Sequence, residues 1–197
     1  MSAFELLYYI PLAAVMISWF AFAGAMILMK KPQKAAEEKR DRKAVIGIIM
    51  QGIAFALVAT FRRDTAYLVP LPGVTFDVAI AVFTVMLSFG SVWMTTAAIK
   101  KLGRQWSVAA RIVEQHRLIT NGPYGRVRNP IYSGMLGMLV ATGLAFSTWY
   151  ALLLAAVIYW FGAMIRVKIE ERLLRKTFGA AFDDYARRVP PLIPKLF

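Results

Sequence analysis

The chain has 197 residues, enough for one domain, of which 59% are hydrophobic and 18% charged, against about 45–50% and about 25% in soluble domains. Lys and Arg number 24 against 11 Asp and Glu, a formal net charge of +13. This is the composition of an integral membrane protein, and it excludes soluble globular, disordered and disulfide-rich secreted classes. Cysteine is absent and His116 is the single histidine, so a disulfide framework, a thiolate or His-rich metal centre and a Cys nucleophile are excluded too, and no metal site is expected.

In chain order, the first charge-free run is 6–29. Ala21-Phe22-Ala23 has the look of a signal cleavage site, but no positive residue precedes it and the apolar run continues to Met29, so an uncleaved helix is expected. The basic segment 30–43 (KKPQKAAEEKRDRK) follows, and then charge-free runs at 44–61 and 78–99, separated by a stretch containing Pro70-Leu71-Pro72-Gly73. The last charge-free run, 131–165, would measure ~52 Å as one helix, well over the ~30 Å hydrocarbon core. A break is therefore expected near Ser147-Thr148-Trp149, although no Gly or Pro marks it. The result is an all-α membrane protein of about five spans, 6–29, 44–61, 78–99, 130–147 and 149–166, the last two forming a tight hairpin.

Charge sets the orientation. Seven Lys/Arg lie in 30–43, seven in 100–130 and eight in 166–197, against two in 62–77. The positive-inside rule puts the basic segments in the cytoplasm and the N-terminus outside, in the cell (inner) membrane. The same rule, with anionic headgroups as partners, accounts for the +13 charge without nucleic acid. The spans hold no Asp or Glu for a proton relay, and no interrupted helix pair suggests a transporter. Chemistry is left to the cytoplasmic segments 100–130 and 166–197.

Segment 100–130 is too polar to span. Asn121-Gly122-Pro123 signals a turn, and Asn129-Pro130 reads as an N-cap followed by a first helical residue. Arg126 and Arg128 flank that helix start, which suits either an anion or simple anchoring at the headgroups. Ser133, Gly134, Gly137, Ala141 and Gly143 follow at intervals that let helix backbones approach closely. Where the chain leaves the membrane, Arg166 and Glu170 stand four apart on one helix face. From spacing alone they fit an ion pair and a ligand site equally. Leu173, Leu174, Phe178, Phe182 and Tyr185 continue as an amphipathic stripe, lying along the membrane or over the loop, until Pro190, Pro191 and Pro194 end it.

The run His116-Arg117-Leu118-Ile119-Thr120-Asn121-Gly122-Pro123-Tyr124, continued by Arg128-Asn129-Pro130-Ile131-Tyr132, resembles the isoprenylcysteine carboxyl methyltransferase family. That family and the related phospholipid methyltransferases show Gly-Pro-Tyr, then Arg-His-Pro and Tyr. Leu102-Gly103 and Trp106-Ser107 match upstream positions, and Arg166, Glu170, Glu171, Leu174, Phe178-Gly179, Tyr185 and Pro194 match the C-terminal pattern. The resemblance covers about 100–197. Asn129 replaces the usual His, and Phe182 stands where Tyr is frequent.

The resemblance implies methyl transfer from S-adenosylmethionine to a lipophilic acceptor entering from the bilayer, with a prenylcysteine-type carboxylate favoured. A phospholipid or another small lipophilic amine or acid is the alternative acceptor, and a non-enzymatic protein retaining the scaffold is the alternative class. The charge-free runs put three N-terminal helices in 1–99 with the basic linker 30–43. The catalytic region would be 100–197, made of a cofactor loop (100–130), a hairpin (130–166) and a C-terminal helix (166–189). His116, Leu118, Ile119, Gly122, Tyr124, Arg128, Asn129, Tyr132, Glu170 and Glu171 would border the cofactor, and Arg166, with Glu170, would carry catalysis by holding the acceptor carboxylate beside the methyl. The topology is directly testable. Tags at the N-terminus should be labelled from outside the cell, and tags in 30–43 or after 190 only from the cytoplasm; an N-terminus protected from outside labelling would overturn the orientation.

Overall fold

The computed structural model describes residues 3–29, 35–37, 42–63, 74–106, 112–113 and 117–194. Their elements are α1 (Ala3–Leu28), β1 (Ala35–Glu37), α2 (Arg42–Thr60), α3 (Val74–Leu102), β2 (Ile112–Val113), α4 (Pro130–Phe146), α5 (Trp149–Phe178) and α6 (Ala180–Arg188). Three helical stretches are long and apolar enough to cross a membrane, Tyr8–Leu28, Phe76–Gln105 and Trp149–Phe178, and Ala44–Thr60 and Pro130–Phe146 are shorter apolar helices. The class is all-α. A minimal antiparallel pair, Ala35 opposite Val113 and Glu37 opposite Ile112, ties the first basic loop to the third.

Burial is inverted relative to a soluble bundle, as a hydrocarbon solvent requires. Phe20, Met86, Trp93 and Phe161 point outward, whereas Ser18, Thr84, Ser88, Ser91 and Thr95 are buried. Lipid tails are as apolar as Leu, so helices there associate through close backbone approach and small polar groups. α4 meets α3 in this way. A Cβ on Gly134 would stand 2.1 Å from Thr95 Oγ1 and 3.0 Å from the Ser91 carbonyl oxygen, and one on Gly137 would stand 2.1 Å from Ser91 Oγ. α2 meets α5 likewise: a Cβ on Gly47 would lie 2.7 Å from the Gly162 carbonyl oxygen, and one on Gly162 would lie 2.9 Å from that of Gly47. α1 is tied in by Trp19 Nε1, which donates to Thr142 Oγ1 at 3.0 Å.

The α4–α5 break falls at Ser147-Thr148, as the length of the run demands. What ends α4 is a tertiary cap. Arg63, just past α2, donates from its backbone N–H to the Phe146 carbonyl (3.0 Å) and from its guanidinium to those of Ala145 (2.8 Å) and Ser147 (3.3 Å). Carbonyls at a helix end have no partner within the helix, and one arginine takes up three of them here. Thr148 N–H and Ser147 Oγ both donate to the Phe61 carbonyl at 3.0 Å, closing the junction.

The segment expected as one C-terminal helix over 166–189 is divided. α5 runs unbroken to Phe178, Gly179 turns the chain at φ +51°, and α6 follows. Positive φ is the conformation glycine adopts without a Cβ penalty. The bend folds α6 back, burying Phe182, Tyr185 and Val189 against Leu118, Leu174 and Phe178. The apolar stripe therefore covers the loop.

Enlarging either α4 glycine should overpack the α3 contact. Gly134→Leu or Gly137→Leu is expected to cost at least about 1–3 kcal/mol, read as a lowered unfolding temperature and a reduced monodisperse yield in detergent. A stable, well-folded variant would show that α3 and α4 do not pack at these positions.

Candidate active site

α5 carries the site because it is long. At ~1.5 Å per residue its 30 residues extend ~45 Å, so one rigid helix holds Tyr159 among the spans and Glu171 toward its C-terminal end. Between them, Arg166 and Glu170 are one turn apart, with Arg166 Nη2 3.9 Å from Glu170 Oε1. Their environments differ. The Arg166 side chain is 9% exposed and the Glu170 side chain 29%.

Three helices converge on this pair. From α4, the Tyr132 hydroxyl donates to Glu170 Oε1, and its ring lies under the Arg166 guanidinium at 4.7 Å. From α2, Gln51 Oε1 accepts a 3.1 Å hydrogen bond from Arg166 Nη1. The Tyr159 hydroxyl donates to the Tyr132 carbonyl at 2.8 Å, fixing the start of α4 against α5. Room for the Arg166 stem comes from α2: a Cβ on Gly47 would stand 2.6 Å from Arg166 Cγ.

A second cluster braces the loop. Arg128 Nε pairs with Glu171 Oε1 at 2.7 Å, with side chains 12% and 14% exposed. Arg128 Nη1 also donates to the Ala186 carbonyl at 2.8 Å and to that of Val189. The backbone N–H groups of Arg128 and Asn129 donate to the Pro190 and Pro191 carbonyls at 2.8 and 3.0 Å. Asn129 does stand just before α4, but its side chain makes no cap bond; Nδ2 instead donates to the Pro191 carbonyl at 3.1 Å. The expectation of a side-chain cap fails because the amide faces the returning C-terminal segment. Arg128, similarly, is occupied by Glu171 and two carbonyls, while Arg126 is exposed.

The sequence-expected residues thus fall into groups. Arg166, Glu170 and Tyr132 meet at one point, and Arg128, Asn129 and Glu171 meet at the C-terminal segment. Leu118 packs against the α6 cluster, Ile119 is half-buried, and Gly122 opens a 3-10 turn (Gly122–Gly125) at φ +64°. Tyr124, in that turn, is buried and accepts the Tyr185 hydroxyl on its carbonyl at 2.6 Å. Burial, and next the Glu170 charge, raise the Tyr124 phenol above its ordinary range, and burial does the same to Tyr185. Both stay protonated at neutral pH, and the first shift ties the turn electrostatically to Glu170. His116 lies outside the described residues. Gln51 and Tyr159 were missed; an amide within a charge-free run was the available signal for the first.

Removing the brace should release α6. Arg128→Ala would leave Glu171 largely buried without its cation, a loss of about 3–5 kcal/mol. It is expected to speed proteolysis and hydrogen exchange over 180–194 while α1–α4 stay protected. Unchanged protection there would show that the ion pair does not hold the C-terminal segment.

The chain is similar to known proteins both by family model and by sequence. The phospholipid methyltransferase family model matches residues 79–181. Protein-S-isoprenylcysteine O-methyltransferase B of Arabidopsis thaliana is 31% identical over 150 residues, 75% of this chain and 76% of that protein. The protein-S-isoprenylcysteine O-methyltransferase of Schizosaccharomyces pombe is 30% identical over 107 residues, 52% of this chain and 45% of that one. A shorter match, 39% identical over 74 residues, 38% of this chain and 27% of the relative, is to methanethiol S-methyltransferase 2 of Bradyrhizobium diazoefficiens. With the motif residues assembled around one α5 face and both comparisons in accord, the chain belongs to the isoprenylcysteine carboxyl methyltransferase family and is a membrane-embedded methyltransferase.

Proposed function

We propose that this enzyme moves a methyl group from S-adenosylmethionine to the carboxylate of a lipophilic, prenylcysteine-type acceptor that enters from the bilayer. The observation that carries the reading is the Arg166–Glu170 pair, opposite charges one turn apart, the cation enclosed by α2, α4 and α5 and the carboxylate more open. The two sides of the pair suit two ligands that arrive from different phases.

The residues at the open side fit the donor. Glu170 offers a negative oxygen to a cationic or hydroxylated nucleoside, beside the Tyr132 hydroxyl and the Gly122–Gly125 turn. The loop residues Leu118, Ile119, Gly122 and Tyr124 would border the donor there, with α6 packed over Leu118. When bound, S-adenosylmethionine supplies a methyl made electrophilic by its sulfonium. An acceptor carboxylate is already ionised at neutral pH, so no side chain need take a proton. Arg166 instead holds the carboxylate in its planar fork, with Gln51 and the Tyr132 ring fixing the guanidinium. With the N-terminus outside and the C-terminus inside, as the Lys/Arg asymmetry favours, Glu170 and the loop would face the compartment where a water-soluble donor is dissolved.

An amine acceptor, as in phospholipid methylation, must lose a proton and would prefer an acidic partner such as Glu171. That carboxylate is 2.7 Å from Arg128 Nε, which leaves it poorly placed to serve as a base. The acid acceptor is therefore favoured.

The two charges should fail differently when removed. Glu170→Ala is expected to raise the dissociation constant for S-adenosylmethionine about tenfold or more, as for a charge-assisted hydrogen bond. Arg166→Ala should bind the donor nearly normally yet lose turnover, and Arg166→Lys should rescue poorly because a point charge does not reproduce the fork. Calorimetric donor binding beside transfer rates separates them. Equal, mild effects in both assays would reduce the pair to a boundary ion pair.

A further inference from the structure

Gln51 sits in the middle of α2 with apolar residues on either side, and the structure buries it to 3% exposure. Its amide is only half used. Oε1 accepts from Arg166 Nη1, while Nε2, also buried, makes no hydrogen bond of ordinary length, the Tyr159 hydroxyl lying near the amide. Turning the amide over would set its NH2 against the guanidinium, donor against donor, so Arg166 dictates which end of Gln51 is left over. A lone buried donor is costly anywhere, and more so in a span with no water to satisfy it. Leu has a similar volume and would remove the lone donor, but it would also leave Arg166 Nη1 without its Gln51 acceptor. Support of Arg166 therefore accounts for the oxygen of the amide and not for its leftover N–H groups.

Its depth gives the clue to a use. Gly47 contacts Arg166 and Gly162, and Gln51 is the next turn of α2, ~6 Å further from the cytoplasmic end. The unpartnered N–H thus lies on the hydrocarbon side of Arg166, the side from which a bilayer-dissolved molecule must come. Resting on the proposed function, we infer that Gln51 is a specificity residue of the acceptor site, its Nε2 donating to an oxygen of the acceptor head while its Oε1 orients the Arg166 fork. The chemistry that satisfies both donors is a carboxylate. One of its oxygens has lone pairs for Arg166 and Gln51, and the other remains free to attack the methyl. A neutral amine has a single lone pair, which the reaction itself needs, so an N–H donor beside it competes with transfer. An ammonium offers none. Gln51 therefore selects for acids and against amines.

The test uses the full chain in lipid nanodiscs with two probes, an N-acyl S-prenylcysteine as the acid and phosphatidylethanolamine as the amine. Gln51→Leu leaves the buried Arg166 Nη1 without its Gln51 acceptor, so it is expected to fold with a lowered unfolding temperature and to bind S-adenosylmethionine as the wild type does. Its KM for the prenylcysteine probe should rise about tenfold or more, with a much smaller change in kcat. Gln51→Glu, which sets a carboxylate against the acceptor's own, should lose prenylcysteine methylation by at least a hundredfold at unchanged donor affinity. Gln51→Asn, an amide on a shorter stem, should fall between wild type and Gln51→Leu. Wild-type methylation of the prenylcysteine probe with an unchanged KM in Gln51→Leu would overturn the role of Gln51 and leave the acid acceptor standing. A wild type that methylates phosphatidylethanolamine and not the prenylcysteine would overturn both.

Discussion

A guanidinium on a membrane helix is tolerated only where neighbours replace the water it has lost, and Arg166 is held on these terms. Gln51 from α2, the Tyr132 ring from α4 and Glu170 one turn along α5 surround it. Each of these contacts depends on how closely the helices approach. Gly47 and Gly162 bring α2 onto α5, and Tyr159 pins the start of α4 to the same helix through the Tyr132 carbonyl. Without these small residues Arg166 would lose Gln51 as a neighbour, and Glu170 on its own helix would be left to offset more of its charge.

The packing around the start of α4 follows from the length of α5. Because it continues past Glu170 to Phe178, it can present Glu171 to Arg128 and Leu174 to the α6 cluster. Gly179 then reverses the chain so that Phe182 and Tyr185 close over the Gly122–Gly125 turn. Pro190, Pro191 and Leu192 return to meet Arg128, Asn129 and Ser133 at the start of α4. The two departures from the family pattern fit this scheme. The Asn129 amide is an internal strut, and Phe182 is fully buried beneath the Arg175 guanidinium, where a ring suffices.

Much of this was legible in the sequence, and what was not has a physical reason. Charge-free runs located all five apolar helices, and the length of 131–165 alone placed the break at Ser147-Thr148. The agent of that break, Arg63, lies some 80 residues upstream and acts through carbonyls that no pattern displays. The apolar stripe runs through Gly179 in phase on both sides, so its periodicity concealed the bend. Arg128 beside a helix start resembles an anion site locally; its partner Glu171 is 43 residues away. Gln51 carries no charge and breaks no periodicity, so only the assembled helices reveal that it faces Arg166.

A carboxylate acceptor leaves a chemical signature that an amine cannot imitate. Membranes containing the enzyme can be incubated with methyl-labelled S-adenosylmethionine, the lipids extracted and the labelled product treated with mild alkali. A methyl ester hydrolyses and releases the label as volatile methanol, whereas an N-methyl group stays on nitrogen and yields none. Release of the label, absent when Arg166 is replaced by Ala, is the result expected of an arginine-held acid. Alkali-stable label in a lipid headgroup would contradict it.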